Sequence, residues 1–137
     1  MLIKKEAIIL QDIKTVFNIV NNINSYKNFV PYCIGSEVLI EKDDELEAKL
    51  DFNLKGYKVS FTTNNKINKY KDIKMTLVNG PFKYLNGLWN FKEVEGKTII
   101  YLTINYEAKN KIIEYTIGKS LDKITNYLVE AFVNESK

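Results

Sequence analysis

Apolar residues in this chain follow two different spacings, and the order of the two limits the folds that are possible. From about Glu37 to Tyr106, apolar residues recur at every second position, in runs separated by turn residues. This spacing is typical of half-buried antiparallel strands. From Asn110 to about Val133 they recur every three or four positions, which predicts one long amphipathic helix. A sheet with one apolar side cannot leave that side in water, so we expect the helix to cover it.

The residues before Glu37 predict one strand and two helices. Residues 2–10 alternate between apolar and polar side chains, as a strand does. Asp12 is a typical N-cap, and helical spacing follows it. A second, short helix is expected from Ser25 to about Phe29, because the residue before Pro31 is disfavoured in a helix.

Together these elements predict an α+β fold of the helix-grip type. It consists of a seven-stranded curved antiparallel sheet wrapped around a long C-terminal helix, with two short helices between strands 1 and 2. The length favours a single domain over residues 1–137. No apolar run approaches the ~18 residues of a membrane span, and the N-terminus lacks the features of a signal peptide. We therefore expect a cytoplasmic, bacterial-type setting.

The composition excludes several classes of enzyme. All 20 basic residues are lysine, there is no histidine, and Cys33 is the only cysteine. Without histidine, neither a Ser-His-Asp nor a Cys-His nucleophile system can be built, and a zinc site is improbable. Neighbouring carboxylates such as Glu45 and Glu47 fall on outward strand positions or in turns. We predict no catalytic residues, no metal site and no required cofactor, and we interpret Cys33 as a small buried hydrophobic residue.

Two short runs, Phe29–Cys33 and Gly80–Phe91, contain both prolines, the cysteine and the only tryptophan. In the second run, Gly-Pro sets a turn and a strand follows it. Gly87 and Trp89 fall on the same side of that strand. A glycine beside a large aromatic side chain in a sheet indicates that another group approaches closely. That group is either the packed helix or a ligand.

The concave side of the sheet is therefore either an ordinary packed core or the wall of a cavity for an apolar ligand. Such cavities are mostly apolar, with a few placed polar groups. The polar candidates, each equally suited to a structural hydrogen bond, are Tyr32, Thr63, Asn65 and Tyr106. We expect Trp89, Phe82 and Tyr32 at the entrance. The full set predicted to line the cavity is Tyr32, Phe52, Phe61, Thr63, Met75, Leu77, Phe82, Trp89, Phe91, Leu102, Ile104, Tyr106, Ile117, Leu121 and Ile124.

A cluster of lysines is the second candidate site. It consists of Lys66, Lys69, Lys71 and Lys74, with Tyr70 between them and Lys83 further along the chain. Such a hairpin is suited to the phosphates of ribosomal RNA or to an anionic membrane surface. The alternative is an ordinary solvated hairpin, because exposed sheet edges favour lysine.

The chain also resembles a known family, the coenzyme Q-binding START-like family within the polyketide cyclase/dehydrase superfamily. The resemblance covers nearly the whole chain. Its segments are Phe29-Val30-Pro31-Tyr32-Cys33, Ser36, Val38-Leu39, Phe61–Asn65, Met75–Lys83, Leu85–Gly87, Trp89, Phe91 and Val129–Val133. The family commonly has an arginine in the segment around Asn64, and this chain has asparagine there, so a contact to RNA or to a head group through that arginine is not expected.

The resemblance implies two different functions. Some members hold a prenylated quinone or a similar lipid under the long helix, and others are bacterial ribosome-association toxins. Our leading interpretation is non-catalytic binding of ubiquinone or a related isoprenoid lipid in support of respiratory quinone function. The alternative is a factor that binds the large ribosomal subunit and blocks subunit association. The expected partners are thus a lipid, the large subunit, or transiently a membrane surface, with a cytoplasmic location or one peripheral to the inner membrane.

Overall fold

A computed structural model describes all 137 residues. The strands are β1 (Leu2–Ile9), β2 (Cys33–Lys42), β3 (Glu45–Leu54), β4 (Tyr57–Asn68), β5 (Asp72–Asn79), β6 (Phe82–Val94) and β7 (Lys97–Ala108). The helices are α1 (Ile13–Asn21), α2 (Tyr26–Phe29) and α3 (Lys111–Glu135), with a 3-10 turn at Ile23–Ser25. The strands form one antiparallel sheet of order β1-β7-β6-β5-β4-β3-β2. The predicted helix-grip fold is confirmed.

Tight turns join the consecutive strands. Lys55 and Gly56 connect β3 to β4 with φ of 55° and 92°, and Glu95 and Gly96 connect β6 to β7 with φ of 52° and 79°. Positive φ at both central residues is the backbone of the two-residue hairpin turn whose twist matches that of the strands. Tyr70, between β4 and β5, also has a positive φ, of 66°.

The sheet curves because several strand pairs are interrupted. The β2–β3 register shifts between Cys33 and Gly35 and again between Val38 and Ile40. Further shifts lie between Thr62 and Thr63 in the β4–β5 pair and between Phe82 and Tyr84 in the β6–β7 pair. An extra residue in one strand bends it and increases its twist. The bent strands give the sheet a concave side, which faces α3.

The long helix is capped locally and buried only along part of its length. Asn110 Oδ1 accepts a hydrogen bond of 2.9 Å from the backbone N–H of Ile113, so the first turn has a side-chain cap. Ile112 and Tyr115 in the first two turns are 82% and 74% exposed, whereas Ile117 begins a continuous buried stripe. The stripe consists of Ile117, Leu121, Ile124, Leu128 and Phe132.

Aromatic packing holds the C-terminal half of α3. The ring of Phe132, which is fully buried, lies 5.3 Å from the Tyr26 ring and 5.4 Å from the Trp89 ring, centroid to centroid. Phe29 completes the cluster at 6.2 Å from Phe132. These rings join α2, β6 and α3, and tilted or edge-on pairs at such distances stabilise a fold beyond the area that they bury.

Two glycines permit close approach, but to different neighbours. A Cβ atom at Gly118, in α3, would lie 3.0 Å from the Tyr106 hydroxyl oxygen, so the helix and the sheet meet there. A Cβ atom at Gly87 would lie 2.5 Å from Cε of Met75. Met75 is the residue paired with Gly87 on β5. Gly87 therefore makes room for a side chain of the adjacent strand and not for the helix.

We predict that Gly118→Leu destabilises the protein by about 1–3 kcal/mol, because the added side chain meets Tyr106 and pushes α3 off the sheet. Lys119→Leu is the matched control, since Lys119 is the exposed next residue of the same helix. Urea unfolding measures both free energies. Equal stability of the two variants would show that α3 does not depend on contact at Gly118.

Candidate ligand-binding site

A cavity lies between α3 and the concave side of the sheet. Its free volume is about 60 Å³, and 15 of its 19 lining residues are hydrophobic. Strands β3 to β7 supply one wall, α3 supplies the other, and the α1–α2 region closes one end. The lining residues are Val20, Asn21, Ile23, Tyr26, Ala48, Leu50, Phe61, Thr63, Asn65, Ile73, Met75, Leu85, Trp89, Leu102, Ile104, Leu121, Ile124, Thr125 and Leu128.

The structure brings eight of the predicted cavity residues together at this site. All of them alternate inward on their strands or lie on the buried stripe of α3. They are Phe61, Thr63, Met75, Trp89, Leu102, Ile104, Leu121 and Ile124. Trp89 is only 4% exposed, so it forms part of the wall and does not stand at an entrance.

The other predicted residues do not line the cavity, because their side chains pack against other parts of the protein along the groove. Phe52 is fully buried and stacks on Phe61 at 6.2 Å. Phe91 packs edge-on against Phe17 of α1 at 5.2 Å. Leu77 lies at the Gly80 turn, where a Cβ on that glycine would be 3.1 Å from Leu77 Cδ1. These side chains share the inward face with the cavity residues but fill its ends.

Phe82 and Tyr106 pack edge-on against each other, with ring centroids 5.7 Å apart, near the start of α3. Ile117 is buried but does not line the cavity. Tyr32, with φ of 66°, is 43% exposed. Its ring lies 5.0 Å from the ring of Tyr127, so it fastens the loop before β2 to α3. None of the four lines the cavity.

Residues that the sequence did not single out complete the lining. Val20, Asn21, Ile23 and Tyr26 reach it from the α1–α2 region. Apolar spacing indicated that Val20 and Ile23 belong to a buried helix face, but not that this face closes the groove. The remaining additions lie on the sheet and on α3, and they are Ala48, Leu50, Ile73, Leu85, Thr125 and Leu128.

Most polar groups at the cavity are hydrogen-bonded within the protein. The Tyr26 hydroxyl donates to the carbonyl of Val20, and burial raises the pKa of this phenol far above its ordinary value, with Cys33 adding to the shift. The Thr63 hydroxyl donates to Asn65 Oδ1 at 2.7 Å. Thr125 donates to the Asp122 carbonyl at 2.8 Å. These side chains therefore serve structural hydrogen bonds.

Tyr106 lies on the inner side of β7 beside the first half of α3. Burial raises the pKa of its phenol, and the carboxylates of Glu114 and Asp122 raise it further. Both effects favour the neutral hydroxyl. No cluster of three or more metal-ligating side chains occurs in the structure.

The four hairpin lysines are exposed at one end of the sheet. Lys66 and Lys74 face each other directly across the β4–β5 pair. None of the four makes an ion pair, whereas Lys83 lies 4.0 Å from the Glu107 carboxylate. Like charges directly opposite each other are destabilising. Lys66 also lies opposite Glu45 of β3, whereas Lys74 lies opposite Leu88 of β6, so the fold does not account for Lys74.

Tyr70 holds the turn of this hairpin against the body of the protein. Its ring packs edge-on against Phe17 at 5.3 Å. The ammonium groups of Lys69 and Lys14 lie 5.2 Å and 5.8 Å from the centre of the same ring. Lys14 thus extends the basic surface onto α1. Asn64, on the same strand as Lys66, points outward and donates to Glu45 Oε1 at 2.7 Å.

The family model for polyketide cyclase/dehydrase and lipid transport matches residues 11–133. The chain belongs to this family. No helix combines the length and the apolar character that crossing a membrane requires.

Individual relatives with different names match this chain. The ribosome association toxin RatA of Vibrio cholerae is 32% identical over 136 residues, which cover 98% of this chain and 94% of the toxin. The mitochondrial coenzyme Q-binding protein COQ10 of Dictyostelium discoideum is 26% identical and covers 83% of this chain, which spans 60% of that protein. A solved structure from Thermus thermophilus superimposes with a TM-score of 0.89 at 16% identity, over 99% of this chain and 97% of that one. The last likeness shows the fold alone.

We predict that Cys33 is unreactive in the folded protein. It is 7% exposed, and burial raises the pKa of its thiol from 9.0 to about 11, with a smaller effect from Asp51 in the same direction. Because the thiolate is the reactive form, iodoacetamide at pH 8 should modify Cys33 only after unfolding, as measured by intact-protein mass spectrometry. Rapid modification of the native protein would contradict the burial.

The raised pKa of the Cys33 thiol also predicts how the stability of the protein depends on pH. The unfolded thiol ionises first, so the contribution of Cys33 to stability is complete below about pH 9 and is lost as the pH rises towards about 11. Tyr26 and the lysines also titrate at high pH, so the useful quantity is the difference in unfolding free energy between wild type and Cys33→Ala. We expect this difference in unfolding free energy to shrink as the pH rises from about 9 to about 11.

Proposed function

We propose that this protein binds a long apolar ligand, ubiquinone or a related isoprenoid lipid, in the cavity under α3 without transforming it chemically. The observation that carries the proposal is the predominantly hydrophobic lining between α3 and the sheet. Transferring an isoprenoid chain from water to such a lining is favourable by roughly 25 cal/mol per Å² of apolar surface buried. The family description, which includes lipid transport, and the coenzyme Q-binding relative support the same ligand class.

The size of the cavity sets a condition on this proposal. Its volume of about 60 Å³ is well below the ~150 Å³ that holds benzene in an engineered protein cavity. Binding therefore requires the cavity to expand. In α3 the lining residues fall between 121 and 128, so expansion requires this middle segment of the helix and the facing strands to move apart.

A second function, association with the large ribosomal subunit, is favoured by a separate observation. Four lysines that make no ion pair lie together on the β4–β5 hairpin, and such lysines are suited to RNA phosphates. The relative from Vibrio cholerae is named a ribosome association toxin. The two surfaces are different, so one protein can have both functions.

We predict that Leu121→Trp abolishes quinone binding, because the larger side chain fills the cavity from the α3 side. Binding is measured by incubating the protein with a ubiquinone that carries a ten-carbon tail and detecting the complex by native mass spectrometry. A melting curve establishes that the variant is folded.

Leu39→Trp is the control for this experiment. Leu39 is 44% exposed on β2 and does not line the cavity, so the same substitution there adds a tryptophan without filling space. It should bind quinone as wild type does. A folded Leu121→Trp variant that retains wild-type binding would show that the ligand site lies elsewhere.

For the ribosome, we predict that changing Lys66, Lys69, Lys71 and Lys74 to glutamine weakens co-sedimentation with large subunits and leaves quinone binding intact. Lysine–phosphate pairing releases counterions from the RNA, so the slope of log affinity against log salt should fall by about 0.7–0.9 for each lysine that pairs with a phosphate. Quinone binding depends on apolar burial and should change little with salt.

A control variant with Lys92, Lys97, Lys123 and Lys137 changed to glutamine removes the same charge from exposed positions outside the hairpin. If both quadruple variants lose subunit binding equally, net charge and not the hairpin is responsible. Tight binding that survives the hairpin substitutions and high salt would exclude this surface.

A further inference from the structure

One buried hydrogen-bond acceptor at the cavity has no donor in the protein. Oδ1 of Asn21 is buried and accepts no hydrogen bond, and it is the only buried side-chain nitrogen or oxygen in the structure of which this is true. Asn21 is the last residue of α1 and lines the cavity together with Val20 and Ile23. A buried acceptor without a donor is costly.

Asn21 is half-buried, but no hydrogen bond within the protein accounts for its inward Oδ1. The end of α1 does not need the Asn21 side chain as a cap. The next residue closes the helix, because the backbone N–H of Asn22 donates to the Asn18 carbonyl at 3.1 Å. The hydroxyls of Tyr26, Thr63 and Thr125 are already committed to acceptors within the protein, so none is free for Asn21. An apolar residue of similar size, such as leucine, would fit an apolar wall without cost.

We propose that Asn21 is the polar anchor of the cavity and that it selects a ligand whose head group carries a hydrogen-bond donor. This inference rests on the proposed ligand-binding function and specifies the chemistry of the ligand. A hydroxyl head group, as in an isoprenoid alcohol or a reduced quinol, donates to Oδ1. A head group with carbonyl oxygens only, as in an aldehyde or an oxidised quinone, offers Oδ1 no donor and binds through its apolar chain alone. The cavity therefore prefers the hydroxyl form.

The test compares two probes that differ only in this group, farnesol and farnesal. Trp89 is the only tryptophan and lines the cavity, so its fluorescence reports binding. We expect farnesol to bind wild type about tenfold more tightly than farnesal, which corresponds to about 1.4 kcal/mol. Asn21→Leu should abolish this preference by weakening farnesol alone. Asn18→Leu, at an exposed position of the same helix, should keep it.

A second measurement needs no ligand. Because Oδ1 has no partner in the free protein, Asn21→Leu should raise the melting temperature, whereas a structural role for the amide would lower it. Lower stability of Asn21→Leu would overturn the proposal, as would equal or tighter binding of farnesal, or a hydroxyl preference that persists in Asn21→Leu. If wild type binds neither probe, the ligand-binding function fails together with the anchor. If wild type binds both probes equally, the ligand-binding function stands and only the role of Asn21 as a polar anchor is refuted.

Discussion

The contact between α3 and the concave side of the sheet is the interaction on which the rest of the structure depends. A curved sheet with one apolar face has no other long element to cover it, and α3 does so with a single stripe of side chains. The contact is unequal along its length. Phe132 is enclosed by Tyr26, Phe29 and Trp89 at one end, whereas the first two turns bury little. The cavity lies between the fixed end and the exposed end.

Most of the fold could be predicted from the sequence. Apolar and polar side chains alternate along the strands, and this alternation indicates which face of each strand is buried. The N-cap predicted at Asp12 is present; Asn110 caps α3 in the same way, although the sequence analysis did not single it out as a cap. The start of β2 could not be predicted. That strand begins at Cys33, four residues before alternation becomes visible at Glu37, because the register shift at Gly35 interrupts the period and leaves Ile34 58% exposed.

The candidate site was harder to predict from the sequence than the fold. Periodicity indicates on which face of a strand a residue lies, but not where along the groove it lies. Phe91 and Trp89 share a face, yet Phe91 fills one end against Phe17 and Trp89 lines the cavity. Val20 and Asn21 end α1, and Ile23 and Tyr26 lie in the two short helical segments that follow; periodicity does not show that these segments close the groove. Asn21 is followed by Asn22, and nothing in that pair indicates that only the first reaches the cavity.

The two candidate surfaces lie on opposite faces of the sheet, because successive side chains of a strand point to opposite faces. On β4, Thr63 and Asn65 point to the cavity, while Asn64 and Lys66 point outward, so substitutions on one side need not disturb the other. One element nevertheless touches both surfaces. Helix α1 contributes Asn21 to the cavity and, through Phe17, supports Tyr70 at the turn of the lysine hairpin. The outward lysines and the inward lining thus share a structural support, although they lie on opposite sides of the sheet.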